Sequence, residues 1–290
     1  MFYDIFIFFP KNIASILKET IKEDMDKLEE IRFRTNQNII LKFNEREAII
    51  NYKTKSRDIL EILQIICENS IYSYQKEIAQ GYITVRGGHR IGITGSSVIE
   101  NGKVININYI SSLNFRIARQ IIGCSNNMIE NIIDKENKTV FNTLIVSLPG
   151  AGKTTLLRDI VRNISNGNEF ISGQTVGVVD ERGEIASSYK GIPQNDVGPR
   201  TDVFADMPKS IGMKMLIRSM APQVIVADEI GNMYDAEAIQ DAISSRNKSN
   251  MHSTWSIIRA NKNKQKFKRS ITMFWKNNIF KIQRRKRTNR

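Results

Sequence analysis

At 290 residues the chain has room for two domains, each large enough to bury its own core. No run approaches the roughly 20 apolar residues that span a bilayer, so no transmembrane segment is expected. The formal charge of +13 does not mark a nucleic-acid binder: residues 246–290 hold 15 of the 43 Lys and Arg and none of the acidic residues, which leaves 28 basic against 30 acidic side chains before them. A basic tail on a nearly neutral body is not a basic binding face, and no nucleic-acid partner is expected.

The chain starts with an apolar run over residues 1–9 that lacks a basic region and stops at Pro10. That composition argues against a signal peptide and predicts a buried first strand. A helical pattern follows near 13–28, then the run Ile31-Arg32-Phe33-Arg34 and a second helix over 57–70. The glycine-punctuated segment 81–102 reads as hairpins, with Asn101-Gly102 as a turn signal. His89 sits in a glycine turn and is expected to be structural. Arg116 and Arg119 stand three apart at the end of this region. Cys67 and Cys124, widely separated in contexts that look like core, suggest a reducing compartment and offer no metal site. We place an N-terminal α+β domain at 1–125 and a linker at 126–142.

The most informative segment is Ser147-Leu148-Pro149-Gly150-Ala151-Gly152-Lys153-Thr154-Thr155. It follows the apolar run Thr143-Leu144-Ile145-Val146 and precedes a helical pattern, the context in which a glycine loop cradles phosphates. In that reading Lys153 reaches the β- and γ-phosphates of ATP, and the Thr154 hydroxyl ligates Mg²⁺. Ser147 stands where the general pattern has glycine.

Two further strands end in carboxylates. Val176-Gly177-Val178-Val179 runs into Asp180-Glu181 and, three residues on, Glu184. Val224-Ile225-Val226-Ala227 runs into Asp228-Glu229, a Walker B pattern: Asp228 would hold Mg²⁺ and Glu229 would polarise the attacking water as general base. Between them, Asp206-Met207-Pro208-Lys209 caps a helix whose Met213, Leu216, Ile217 and Met220 form a core stripe. Residues 232–245 read as another helix. Alternating strands and helices imply an α/β domain over 143–245 with a mostly parallel sheet.

Residues 246–290 show neither period and are not expected to fold. Back-translated with suitable synonymous codons and read one base later, residues 246–255 become G-I-K-V-I-C-T-V-H-G, a buried-type strand. The same shift turns 273–280 into C-F-G-K-I-I-F and 280–289 into L-K-Y-K-G-E-K-E-Q-I. We read the tail as the product of a one-base frameshift near Ser245, which would leave the sheet one inner strand short.

With these residues in view, the chain resembles the stage III sporulation protein AA family, a branch of the type II/IV secretion ATPases. The resemblance covers nearly all of 1–245. Its most specific stretches are Gly81-Tyr82-Ile83-Thr84-Val85-Arg86-Gly87-Gly88-His89-Arg90-Ile91-Gly92, Ser111-Ser112-Leu113-Asn114-Phe115-Arg116-Ile117-Ala118-Arg119 and Gly198-Pro199-Arg200-Thr201-Asp202-Val203. The Walker B segment belongs with them, and Ser147 is similar to what the family carries. The resemblance implies a RecA-like P-loop ATPase core behind a smaller N-terminal α+β domain, assembled as a homo-hexameric ring. It implies an acidic box at Asp180, Glu181 and Glu184 that positions metal and water. It also implies a phosphate-reaching role for Arg116, whose other reading is a solvated basic face. By the same resemblance the chain would work in the mother-cell cytoplasm, docked on membrane proteins of the stage III complex. A non-hydrolysing ATP-binding switch or scaffold and, further off, a nucleic-acid motor are the rival functions.

Overall fold

The computed structural model describes residues 5–147, 151–230, 257–261 and 279–282. They divide into two compact units, the first ending at Arg119 and the second beginning at Gln120.

The first unit opens on a 3-10 turn at Ile5–Phe8 rather than a strand. A short apolar run is compatible with either state, and here Pro10 ends it by leading straight into α1 (Lys11–Ile21). Helix α1 is shorter than its pattern suggested, because Lys22 takes a positive φ and the chain tightens into a 3-10 segment over Lys22–Lys27. Strands β1 (Leu28–Arg34), β2 (Asn38–Phe43) and β3 (Glu47–Lys53) form a meander. Helix α2 (Ser56–Ile66) ends four residues before its predicted limit, where Glu68 and Asn69 turn left-handed. Helix α3 (Gln75–Ala79) leads to β4 (Tyr82–Thr84), β5 (Arg90–Glu100) and β6 (Lys103–Arg116). Asn101 and Gly102, both at positive φ, make the β5–β6 turn that their dipeptide predicts.

These strands form one antiparallel sheet in the order β3-β2-β1-β6-β5-β4. Its core joins Ile13, Leu17 and Ile21 of α1 and Ile59, Ile62 and Leu63 of α2 to alternate strand residues such as Ile31, Phe33, Leu113 and Phe115. Phe9, just past the opening turn, packs its ring 4.6 Å from that of Phe115 and 5.5 Å from that of Phe33. His89 is buried under this sheet, and its Nδ1 accepts a hydrogen bond from the Ala118 N–H at 3.1 Å. Cys67 is buried as expected, whereas Cys124, in the second unit, is exposed.

The second unit begins earlier than the sequence suggested. Residues 126–142, read as a linker, form α4 (Asn126–Ile132) and the small pair β7 (Ile133–Asp134) and β8 (Thr139–Val140). Ile129, Ile132, Ile133 and Val140 belong to the same core as the helix after the glycine loop, so burial of their apolar side chains joins this segment to the second unit.

Strand β9 (Thr143–Ser147) then precedes α5 (Lys153–Asn166), followed by β10 (Val176–Asp180), β11 (Thr201–Ala205), α6 (Lys209–Ser219) and β12 (Val224–Ile230). The stretch 246–290, expected to stay unfolded, supplies the two remaining described strands, β13 (Ile257–Asn261) and β14 (Ile279–Ile282). All pair in parallel in the order β11-β10-β12-β13-β9-β14. Strand β13 thus occupies the inner place that the sequence reading left empty. A ladder is made by backbone groups, so a segment without strand periodicity can fill such a slot. The helix expected over 232–245 lies outside the described residues.

Apolar residues of α5, namely Leu157, Ile160 and Ile164, share a core with Val176, Val178, Val224 and Val226 of the sheet. Met213 and Leu216 of α6 are buried, while Met220, placed in the same stripe by sequence, is exposed just past the helix end. Among the described residues, no helix is long and apolar enough to cross a membrane.

Candidate nucleotide site

The C-terminal ends of parallel strands are where an α/β sheet opens its binding crevice. Here β9 ends at Ser147, β10 at Asp180 and β12 just beyond Asp228. Strands β10 and β12 are neighbours in register, Val179 opposite Ala227, so Asp180 and Asp228 follow at adjacent strand ends. Strand β9 stands two places from β12, about 10 Å away at the usual strand spacing. That spacing, bridged by β13, sets the distance between the glycine loop and the acidic strand ends at this edge of the sheet.

Gly152 enters α5 at φ 83 with a left-handed conformation, which a side chain would strain. Its carbonyl accepts the first helical hydrogen bond, from the Leu156 N–H at 2.9 Å. Lys153 is the first residue of the helix and is 2 % exposed. Thr154 follows, and its hydroxyl donates to Glu184 Oε2 at 3.4 Å. Leu148, Pro149 and Gly150 lie outside the described residues. Ser147 and Glu229 are placed by their backbones in β9 and β12, and their side chains lie outside the description. Ala151 precedes α5 and Thr155 lies in its first turn, where its carbonyl accepts a contact from Cys124 Sγ at 3.6 Å.

The acidic box divides its labour. Asp180, fully buried, turns both carboxylate oxygens onto the loop after it and accepts the N–H groups of Glu184, Ile185 and Ala186 at 2.8 to 3.2 Å. Burial drives this carboxyl above its ordinary range, and those N–H bonds pull against the shift. Asp180 therefore shapes the loop, and Glu184 and Glu181 are the box residues that reach other site groups. Glu184 meets Thr154. Glu181 is ion-paired with Lys209, whose ammonium also lies 3.5 Å from Asp228 Oδ1. Thr154, Glu184, Glu181 and Asp228 are thus gathered at one end of the sheet.

Three features of this site were not read from the sequence. Arg158, on α5, is buried and donates from Nε to the Ile185 carbonyl at 2.7 Å and from a terminal nitrogen to the Glu184 carbonyl at 2.8 Å. Burial lowers its guanidinium from the ordinary value. Asp159, one residue on, accepts the Gly123 N–H and both the N–H and hydroxyl of Ser125, and pairs with Arg162 at 2.9 Å. Burial would raise Asp159, but these bonds outweigh it and hold the carboxyl below its usual range. Lys209 is the third. Charges on amphipathic helices ordinarily face solvent, which is how sequence alone reads all three.

Arg116 ends β6 of the first unit, opposite Glu30 on β1 and Arg90 on β5, with an exposed side chain. Arg119, the neighbour three residues on, donates to the Leu28 carbonyl at 2.6 Å and to Asn44 at 3.0 Å, a structural engagement within that unit.

A profile of the family described as "Sporulation stage III, protein AA" matches residues 3–282. The chain belongs to that family. It is 38% identical over 234 residues to stage III sporulation protein AA of Bacillus subtilis (strain 168), covering 81% of this chain and 75% of that one. Among solved structures, it is similar to the Legionella pneumophila ATPase DotB, with a TM-score of 0.56 at 15% identity, covering 92% of this chain and 70% of DotB. It is also similar to the pilus retraction motor PilT, solved with bound ADP, with a TM-score of 0.54 at 14% identity over 89% of this chain and 71% of PilT. At such identities the likeness concerns the fold: a RecA-like P-loop ATPase core joined to a smaller N-terminal α+β domain.

Proposed function

We propose that this family member is a Mg²⁺-dependent ATP hydrolase that drives conformational cycling of a homo-hexameric ring, serving the envelope-spanning stage III sporulation complex from the mother-cell cytoplasm. The observation that carries the reading is the gathering of Lys153, Thr154, Glu184, Glu181 and Asp228 at the C-terminal edge of one parallel sheet.

The donor set suits the metal. Mg²⁺ prefers oxygen ligands and is usually held by one or two protein groups together with substrate phosphates. A Thr154 hydroxyl and an Asp228 carboxylate meet that need, and among the described residues no cluster of three His, Cys, Asp or Glu offers a site for another metal. Bound there, Mg²⁺ would neutralise charge on the transferred phosphoryl group. Lys153 and the N–H groups at the start of α5 would hold the β- and γ-phosphates. Glu229 would orient and deprotonate the attacking water. Glu184, accepting from the Thr154 hydroxyl, would turn that oxygen's lone pairs toward the metal. Asp180 would act through the loop that carries Glu184. Membrane proteins of the complex are the proposed partners.

Phosphate release by the full chain with ATP and Mg²⁺ tests the reading. Glu229→Gln should keep ATP bound while lowering turnover by about 10²–10⁴-fold, the usual contribution of a positioned base. Equal, slow rates for both proteins would instead identify a nucleotide-binding switch.

A further inference from the structure

We propose that Lys209 is a resident counter-ion of the metal site: its ammonium holds Glu181 and Asp228 together before metal and nucleotide arrive, and it yields Asp228 to the incoming Mg²⁺. The inference rests on the nucleotide-site reading above and concerns how that site is loaded.

The placement of Lys209 is built into the packing of α6. Gly212 lies one turn further along the helix, and a Cβ there would stand 2.7 Å from Val179 Cγ1, inside any tolerable contact. Gly177 makes the reciprocal concession on β10, since a Cβ there would meet Leu216 at 3.0 Å. Two glycines therefore let helix and strand approach closely. The turn before the helix is fixed as well, because the Asp206 N–H donates to the Asp180 carbonyl at 3.1 Å. The first turn of α6 is thus held over the end of β10, with Lys209 only 6 % exposed.

From there its ammonium bonds the Glu181 carboxylate and stands 3.5 Å from Asp228 Oδ1. Asp228 is 1 % exposed. A buried carboxylate without a nearby cation is costly, and the Lys209 ammonium is a cation within reach of Asp228 in the unloaded protein. A divalent ion reaching the same carboxylate meets a like charge held a few ångströms away, which opposes binding. Binding then requires the ammonium to withdraw toward Glu181, whose side chain is 39 % exposed and can follow it. Lys209 is on this account a positioning residue, and its charge sets how readily the site accepts metal.

Mn²⁺ provides the readout, by electron paramagnetic resonance titration of the full chain with and without ADP, so that turnover does not enter. Lys209→Gln removes the charge and should tighten Mn²⁺·ADP binding about 10-fold, within the range usual for coupled sites. Lys209→Arg keeps the charge and should stay within about threefold of the unaltered chain. Equal or weaker binding by Lys209→Gln would overturn the proposal. If that variant lacks a cooperative melt at every Mn²⁺ concentration, Lys209→Arg decides alone: affinity near that of the unaltered chain supports the charge account, and a 10-fold gain refutes it. Failure of the underlying reading looks different, because the unaltered chain and Lys153→Ala would then bind Mn²⁺·ADP alike.

Discussion

Asp180 and Arg158 grip the same residue from opposite sides: the Asp180 carboxylate accepts the Ile185 N–H at 3.1 Å, and the Arg158 guanidinium donates to the Ile185 carbonyl at 2.7 Å. One comes from the end of β10 and the other from the second turn of α5. Together they fix the loop that carries Glu184 to Thr154, linking the strand with the acidic box to the helix of the glycine loop. Asp180→Asn places an amide donor among three backbone N–H groups. It should destabilise the second unit by about 1–3 kcal/mol, seen in urea melts of the metal-free chain. A group acting only as a metal ligand would behave otherwise: its removal would weaken metal binding and leave metal-free stability unchanged.

Glu184→Gln tests the far end of that linkage. The Thr154 hydroxyl would keep a hydrogen-bond partner but lose a negative one. Loss of a group supporting a metal ligand costs about 10–100-fold in metal affinity or activity. The expected signature is a higher Mg²⁺ requirement for ATP turnover, with ADP binding in EDTA unaltered. An unchanged Mg²⁺ requirement would remove Glu184 from the metal's surroundings.

In the first unit, acid should act through His89. Burial lowers its pKa to about 4, from an ordinary 6.5, so the folded unit holds it neutral while the unfolded chain takes up a proton first. Stability from this group is complete above pH 6.5 and is lost as the pH falls toward 4, by about 3 kcal/mol in all. Below about pH 4 both states are protonated and its contribution no longer changes. Chemical melts of His89→Gln between pH 7 and 4.5 should show a correspondingly flatter decline than the unaltered chain, and parallel declines would count against the buried neutral imidazole.

The cysteines should separate by reactivity. Cys67 is buried, and burial pushes its thiol up to about 11; Cys124 is exposed, though burial of part of its side chain raises it too. A thiol reagent should therefore modify Cys124 alone, slowly at neutral pH, and both residues only in denaturant. Mass mapping that found Cys67 modified in the native chain would contradict the buried placement.

What the sequence disclosed about the site was local in nature. A glycine loop between strand and helix, and carboxylates after apolar runs, carry their meaning in consecutive residues, so Lys153, Thr154, Glu181 and Asp228 are candidates that sequence alone can propose. Arg158, Asp159 and Lys209 could not, because each owes its role to a partner far along the chain: Ile185, Ser125 and Asp228 respectively. The hydrogen bonds by which Asp180 acts on the loop after it were hidden for the same reason. A carboxylate at a strand end looks like a ligand until its oxygens are seen to bind the next turn of backbone. The opening apolar run was ambiguous on other grounds, since a short, nearly continuous apolar run shows no period that separates helix from strand.

The C-terminal stretch gives the last prediction. Strand β13 pairs with both β12 and β9, so it bridges the acidic strand to the glycine-loop strand. A chain ending at Ser245 would lose that bridge together with β14, leaving β12 with an open edge and β9 without a partner strand. Its second unit should lose both its cooperative melt and its ADP binding, while the first unit still melts with the acid response of His89. A gene read one base later from that point would place K-V-I-C-T-V in the bridging region. β-Branched and apolar residues suit a strand buried on both faces, and each one buried contributes about 1.5–3 kcal/mol. We expect the shifted-frame chain to melt well above the present one and to bind ADP more tightly. Equal melting temperatures would defeat the frameshift reading, as would coding DNA that proves intact and in frame on resequencing.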